Sequence, residues 1–265
     1  MTKGGFLMKL GLCCTPKSAL KHFPQGVDYA EFSATDVYHL DDKQFHELKA
    51  AVRSGEVRTY SANGLIMPSI RLTGPDVDMI AIREYCKITF FRLKELGIDM
   101  LVFGSGKAKH VPENFSMEQA WGQLFELGVL LSDEAKRHEQ TVVVEPLSYG
   151  EVNIVNTVEE AAFYARTVNR DNFKILVDFY HFDNNGEPFT SLYKNQDLLV
   201  HTHFASPKTR KTPQTETDWQ FFADCVRTLK SMGYNGAMTF EGLLAEGHVY
   251  AEIFARMKEI EQSIK

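Results

Sequence analysis

Short apolar runs alternate with longer amphipathic stretches along this sequence. The runs read as strands at Lys9–Cys13, Tyr29–Phe32, Thr59–Ala62, Met100–Phe103, Thr141–Glu145, Lys174–Asp178, Leu198–Phe204 and Gly236–Glu241. Several, such as Thr141-Val-Val-Val-Glu145, are apolar almost throughout, which suits strands of a parallel sheet buried on both faces. Between the runs, apolar positions return every three or four residues. Asp42–Ser54 carries Phe45, Leu48 and Val52 on one face. Asp76–Leu96, preceded by Pro75, carries Ile80, Ile82, Ile88, Phe91 and Leu93. Ser116–Glu139 carries Ala120, Leu124, Leu127, Leu131 and Ala135. Thr157–Val168 opens on Asn156 as its cap, with Glu160 placed for a capping box. Asp218–Met232 and Glu246–Ile264 complete the main predicted helices, with weaker ones at Thr15–Phe23 and Glu187–Asn195.

Eight strand–helix units in 265 residues leave about 33 residues each, a good length for a βα repeat. No low-complexity stretch or Pro/Gly/Ser linker divides the chain. The expected fold is α/β: one (β/α)8 TIM barrel spanning residues 1–265. An open doubly wound sheet is the competing architecture. Against it, the first strand runs into Leu12-Cys13-Cys14-Thr15-Pro16, with no glycine-rich dinucleotide fingerprint.

Composition narrows the function. Hydrophobic residues make up 44% and charged residues 24%, which excludes a disordered chain. Lys and Arg total 29 against 35 Asp and Glu, a net charge of −6, so phosphate-driven nucleic-acid binding is not expected. Cys13, Cys14, Cys86 and Cys225 form no CxxC pair and read as reduced thiols of a cytoplasmic protein. The start, MTKGGFLMKLGLCC, does not read as a signal peptide, and no run of 18 apolar residues predicts a membrane span.

Polar residues recur where the late strands stop: Glu145, Asp178, His203 and Glu241, spaced about one unit apart. In a (β/α)8 barrel these positions open onto the C-terminal face, where active sites are built. An acid after an apolar strand is ordinarily a helix cap or a solvated loop residue, and a strand histidine is ordinarily a satisfied core group. Four such residues on four successive strands fit that explanation poorly. Three carboxylates in one mouth repel unless protonated or neutralised, and a divalent cation is the simplest neutraliser. Three carboxylates and an imidazole favour Mn²⁺, with Mg²⁺, Co²⁺ or Zn²⁺ as alternatives. Barrel strands are spaced about 45° apart, so strands five and eight face each other across about 135°. Glu145 and Glu241 then flank a central ligand. One can take a proton from a carbon beside a carbonyl and the other return one to the opposite face.

At these residues the sequence resembles a known family. Val144-Glu145-Pro-Leu-Ser-Tyr-Gly-Glu151 with Asn156-Thr157, Val177-Asp178-Phe-Tyr-His181, His201-Thr-His203 and Thr239-Phe-Glu241-Gly resemble the metal-ligand segments of the sugar phosphate isomerases/epimerases of the xylose-isomerase-like barrel superfamily. The pattern is nearest to the D-tagatose and D-psicose 3-epimerases. The resemblance implies one divalent metal on Glu145, Asp178, His203 and Glu241, with proton exchange by the two glutamates. It also implies substrate contacts from Glu151, His181 and Arg210, the last standing one residue late relative to the family. Each has a plainer alternative: a solvated loop acid for Glu151, a helix cap for His181, and an exposed basic loop, Pro207-Lys-Thr-Arg-Lys211, for Arg210. His201, two residues below His203 on the same inward face, is expected to orient a ligand from behind.

The segment Phe103-Gly-Ser-Gly-Lys-Ala-Lys109 carries a second expectation. Ser105, Gly106 and Lys107, helped by Gly104 and Lys109, could hold the phosphate of a phosphorylated sugar, or the glycines could simply turn the chain. Asn63-Gly64 reads as a tight turn, with a reach into the site as the alternative, and Phe32, Phe103 and Phe179 as a candidate apolar wall near the mouth. The expected partner is a small sugar or sugar phosphate, with a homodimer as the assembly considered. Competing readings are a keto-inositol dehydratase-like lyase, an inactive sugar-binding barrel, and an apurinic endonuclease. The last lacks its additional histidines after strands three, four and seven here.

Overall fold

The computed structural model describes residues 7–264. Its elements run β1 (Leu10–Cys13), α1 (Pro16–Lys21), β2 (Tyr29–Ser33), α2 (Ala34–His39), α3 (Asp42–Ser54), β3 (Thr59–Asn63), α4 (Met79–Glu95), β4 (Met100–Phe103), α5 (Gly106–Lys109), α6 (Met117–Lys136) and β5 (Thr141–Val144). They continue through α7 (Val158–Val168), β6 (Phe173–Asp178), α8 (Phe179–Asn184), α9 (Thr190–Lys194), β7 (Leu199–Phe204), α10 (Glu216–Ser231), β8 (Ala237–Phe240) and α11 (Tyr250–Ser263). All eight strands pair in parallel in chain order, and β1 pairs with β8 to close the barrel. The open doubly wound sheet is thereby excluded. The first residues of the stretch read for a signal peptide lie outside the described residues. No helix among the described residues is long and apolar enough to cross a membrane.

Local chemistry sets the helix starts. Thr15, Ser33, Asp41, Asp78, Ser116, Thr157 and Thr215 each accept a backbone N–H from the first turn of the helix they precede. Thr157, rather than the expected Asn156, therefore caps α7. The Asn156 side chain instead donates to the carbonyls of Leu147 and Val152, tying down the loop that follows Glu145.

The two faces of each strand diverge. Outward-facing residues pack against the helices in one large apolar layer. The expected wall of Phe32, Phe103 and Phe179 belongs to that layer and not to the mouth. Strand alternation is the cause: Glu31 and Val102 face inward, so Phe32 and Phe103 face outward. Phe179 packs edge-on against Phe182, also on α8, with Phe189 tilted beside it. Inside the barrel, Val102, Val143 and Leu176 form a separate apolar cluster with Met100 and Val200. On the other strands the interior is polar, with Glu31, Ser61, His201 and Thr239 all buried.

Candidate active site

The ends of β5, β6, β7 and β8 bring Glu145, Asp178, His203 and Glu241 together, with one potential ligand atom from each lying within 4.8 Å of all the others. Glu145 and Glu241 follow the last residues of their strands, and Asp178 and His203 occupy paired positions on β6 and β7. His203 Nδ1 sits between the glutamates, 3.2 Å from Glu145 Oε1 and 3.6 Å from Glu241 Oε2. Asp178 uses one oxygen to cap α8 through the Tyr180 amide and turns Oδ2 towards the centre. That oxygen is buried without a hydrogen bond and lies 3.6 Å from His181 Nε2, which also lacks one. Buried polar atoms left this way are costly, and a cation among these oxygens satisfies the deficit. The donor set and its spacing fit one divalent metal.

The electrostatics follow from burial and neighbours. Burial pushes the Asp178 carboxyl up to about 6, with Glu241 and Glu145 reinforcing the shift and His181 opposing it. Burial would also raise Glu241, but His203 and Arg210 outweigh it and hold this carboxyl low. Burial alone would lower His203, yet Glu31, Glu145 and Glu241 around it raise it well above the ordinary histidine range.

The other expected contacts converge on the same mouth. Arg210 spans Glu151 at 3.1 Å and Glu241 at 2.9 Å, and its guanidinium lies 4.9 Å from the Tyr180 ring centre. Its backbone is left-handed, with φ of 50°, an uncommon conformation for a residue other than glycine. The register one residue late therefore still delivers the side chain to Glu241. His181 is buried, with Nδ1 bonded to the Ser148 hydroxyl at 2.6 Å. Asn63 ends β3 and donates to Glu241 Oε1 at 2.8 Å, so it reaches the centre as well as preceding the turn at Gly64.

The residues considered for phosphate are placed differently. Ser105 Oγ accepts the Ile66 amide, Gly106 packs against Leu147, and Lys107 is exposed. Lys109 is buried and donates to the Glu145 carbonyl at 3.1 Å, with its ammonium pushed down to about 8 by burial.

One residue escaped the sequence analysis. Glu31, from β2, is fully buried directly beneath His203. Its Oε1 lies 2.8 Å from His203 Nε2, while Oε2 meets His201 Nε2 at 2.9 Å, Thr239 Oγ1 at 2.7 Å and the Ser61 hydroxyl. Burial would raise this carboxyl, but His203 and His201 hold it well below the usual range. A carboxylate behind one ring nitrogen fixes the orientation of the imidazole and leaves the other nitrogen for the site. His201 thus acts through Glu31, the group that also holds His203. The available signal was an acid within the run Tyr29–Phe32 rather than at its end, on the face that alternation turns inward.

The chain matches the xylose isomerase-like TIM barrel family over residues 24–263, and it belongs to that family. Its sequence is 22% identical over 231 residues to the D-psicose 3-epimerase of Ruminiclostridium cellulolyticum, covering 84% of this chain and 76% of that protein. Its fold is similar to that of 3-keto-D-glucoside 4-epimerase from E. coli, with a TM-score of 0.77, 19% identity, and coverage of 96% of this chain and 99% of the other. It is also similar to the IolI protein, whose structure holds a zinc atom, with a TM-score of 0.69, 19% identity, and coverage of 97% and 99% respectively.

Proposed function

We propose that the protein is a divalent-metal-dependent carbohydrate epimerase or isomerase that moves a proton at a carbon next to a carbonyl. The observation that carries this reading is the gathering of Glu145 and Glu241, from β5 and β8, into one cluster with Asp178 and His203. The relatives' names support it: D-psicose and 3-keto-D-glucoside are both sugars that carry a carbonyl. When bound, the metal supplies electrophilic stabilisation of the substrate's carbonyl and hydroxyl oxygens, with Mn²⁺ as our preferred ion.

The chain's own groups do the rest. Glu241 is held ionised by His203 and Arg210, so it is free to accept a proton. The C–H bond breaks, its electron pair is delocalised onto the neighbouring carbonyl oxygen, and Glu145 delivers a proton from the other flank. The two carboxyl groups end with exchanged proton states and reset through solvent. His181, Glu151 and Arg210 are placed to hold substrate hydroxyls. A keto-inositol dehydratase-like lyase would share the proton removal, and it is distinguished by net loss of water from the product.

The test is deuterium wash-in at the carbon beside the carbonyl when metal-loaded enzyme meets keto sugars in D₂O. Glu145→Gln and Glu241→Gln should each abolish turnover with the fold retained, and a chelator should suppress it. Formation of epimerised product by either variant would remove the two-base mechanism.

A further inference from the structure

Glu241 stands just past the end of β8, and its carboxylate is held from two sides. Arg210 donates to Oε2 at 2.9 Å, and Asn63 donates to Oε1 at 2.8 Å. The last torsion of a glutamate side chain is broad, so a single donor leaves the carboxylate plane free to turn. One donor on each oxygen fixes it. The two donors differ in their footing. Arg210 comes from the loop after β7 and divides its guanidinium between Glu241 and Glu151. Asn63 is the last residue of β3, paired there with Ser33 of β2. It is the donor that the barrel itself carries.

The turn does not account for the Asn63 side chain. Gly64, with φ of 56°, supplies the left-handed residue, and Thr35 Oγ1 donates to the Gly64 carbonyl at 3.0 Å. Both hydrogen bonds of the Asn63 amide nitrogen go elsewhere, one to Glu241 and one to Cys13 Sγ at 3.4 Å. The reverse placement of the amide would set its carbonyl oxygen against a carboxylate, so the nitrogen faces Glu241. Cys13 ends β1, and its thiol points on to Glu31 Oε1 at 3.8 Å. Burial and the carboxylates of Glu31, Glu241 and Glu145 push this thiol well above its ordinary value, so it keeps its hydrogen. It gives that hydrogen to Glu31 and turns its lone pairs to Asn63. Sulfur is a weak acceptor, so it steers the amide without competing with Glu241 for it.

We infer that Asn63 is the positioning residue of Glu241 and that Cys13 aims it: the amide, seated between thiol and carboxylate, sets the direction in which Glu241 offers its oxygens to metal and substrate. This rests on the metal-dependent epimerase reading above.

The experiment is a double-mutant cycle read by cobalt titration and the visible spectrum. Asn63→Leu keeps a branched shape and removes both donors, Asn63→Ala repeats the cycle without added bulk, and thermal melts check every fold. We expect cobalt affinity to fall about tenfold when Glu241 is present. In a Glu241→Ala background, where no carboxylate is left to position, the same change should cost no more than about twofold. No loss with Glu241 present, or equal losses in both backgrounds, would overturn the inference, since a merely structural Asn63 weakens binding with or without Glu241. Cys13→Ser keeps an acceptor and should match the unmodified protein, whereas Cys13→Ala should lose about fivefold. Full affinity in Cys13→Ala would overturn the part given to Cys13. Deuterium wash-in by Mn²⁺-loaded enzyme, with D-psicose and a 3-keto-D-glucoside, adds a catalytic readout. Asn63→Leu should lower kcat about tenfold or more and leave KM nearly unchanged. An unmodified enzyme inert on both sugars would overturn the epimerase reading, and the cobalt cycle would still judge Asn63.

Discussion

The interior of this barrel has two unlike halves. On β4, β5 and β6 the inward side chains Val102, Val143 and Leu176 pack as a small apolar plug. On β2, β3, β7 and β8 the inward positions carry Glu31, Ser61, His201 and Thr239, bonded to one another. The named side chains of both halves are equally buried. The apolar half stabilises by excluding water, and it tolerates changes of shape within its volume. The polar half stabilises only while every partner is present, and in return it fixes one orientation of His203. The difference teaches where precision is located: the cluster at the mouth depends on the wet-chemistry side of the barrel, not on the side with the denser hydrocarbon.

The largest way to break that contrast is Glu31→Gln. It leaves His203 and His201 with an uncharged partner. We expect cation affinity to fall about 10–100-fold and unfolding free energy to drop by about 3–5 kcal/mol. Cobalt titration followed by its visible spectrum, with urea melts of the cation-free protein, measures both. Unchanged cobalt affinity would show that Glu31 does not position His203. Leu176→Ala is the matching probe of the other half. A cavity there should cost about 2–5 kcal/mol, while cobalt affinity stays near wild type, and loss of both together would erase the distinction between the halves.

Acidity sharpens the comparison next. With the Asp178 carboxyl at about 6 and His203 raised above its ordinary range, protons compete with the cation for both ligands. Binding should release protons, and affinity should weaken by about tenfold per pH unit through neutral pH, where His203 carries a proton, and more steeply below about 6, where Asp178 takes one as well. Calorimetric titrations in two buffers at several pH values read this, and an affinity flat from pH 5 to 7 would contradict it. The smallest effect is expected for Tyr29→Phe. The phenol bonds Thr239 Oγ1 at 2.8 Å at the edge of the polar web. Its loss should cost about 1 kcal/mol in a urea melt, with no change in cobalt affinity.

Much of this architecture was legible in the sequence because it is written in periodicity. The eight strands lie where the apolar runs predict them, and the four residues at their late ends meet as spacing requires. The short helices α2, α5 and α8 were not legible, and α1 and α9, of similar length, were read only as weaker helices. Glu31 was missed for a different reason. Its role depends on which strands lie opposite each other after closure, and strand ends alone do not reveal that. Arg210 shows the limit from the other side: its residue type was informative, but only the left-handed turn of its loop brings it to Glu241. Lys109 carried a charge that suggested a ligand contact, and burial against the Glu145 carbonyl assigns it to holding the loop instead.

The bonds of Glu31 have a consequence for how the chain is made. Glu31 and Ser61 belong to the first quarter of the polypeptide, whereas His201, His203 and Thr239 belong to the last. On the ribosome the carboxylate meets its histidines only after some 170 further residues have been added, so it stays hydrated while the early strands assemble. Sealing of the barrel thus waits for β7 and β8 to emerge, and the cluster at the mouth arises in the same late event.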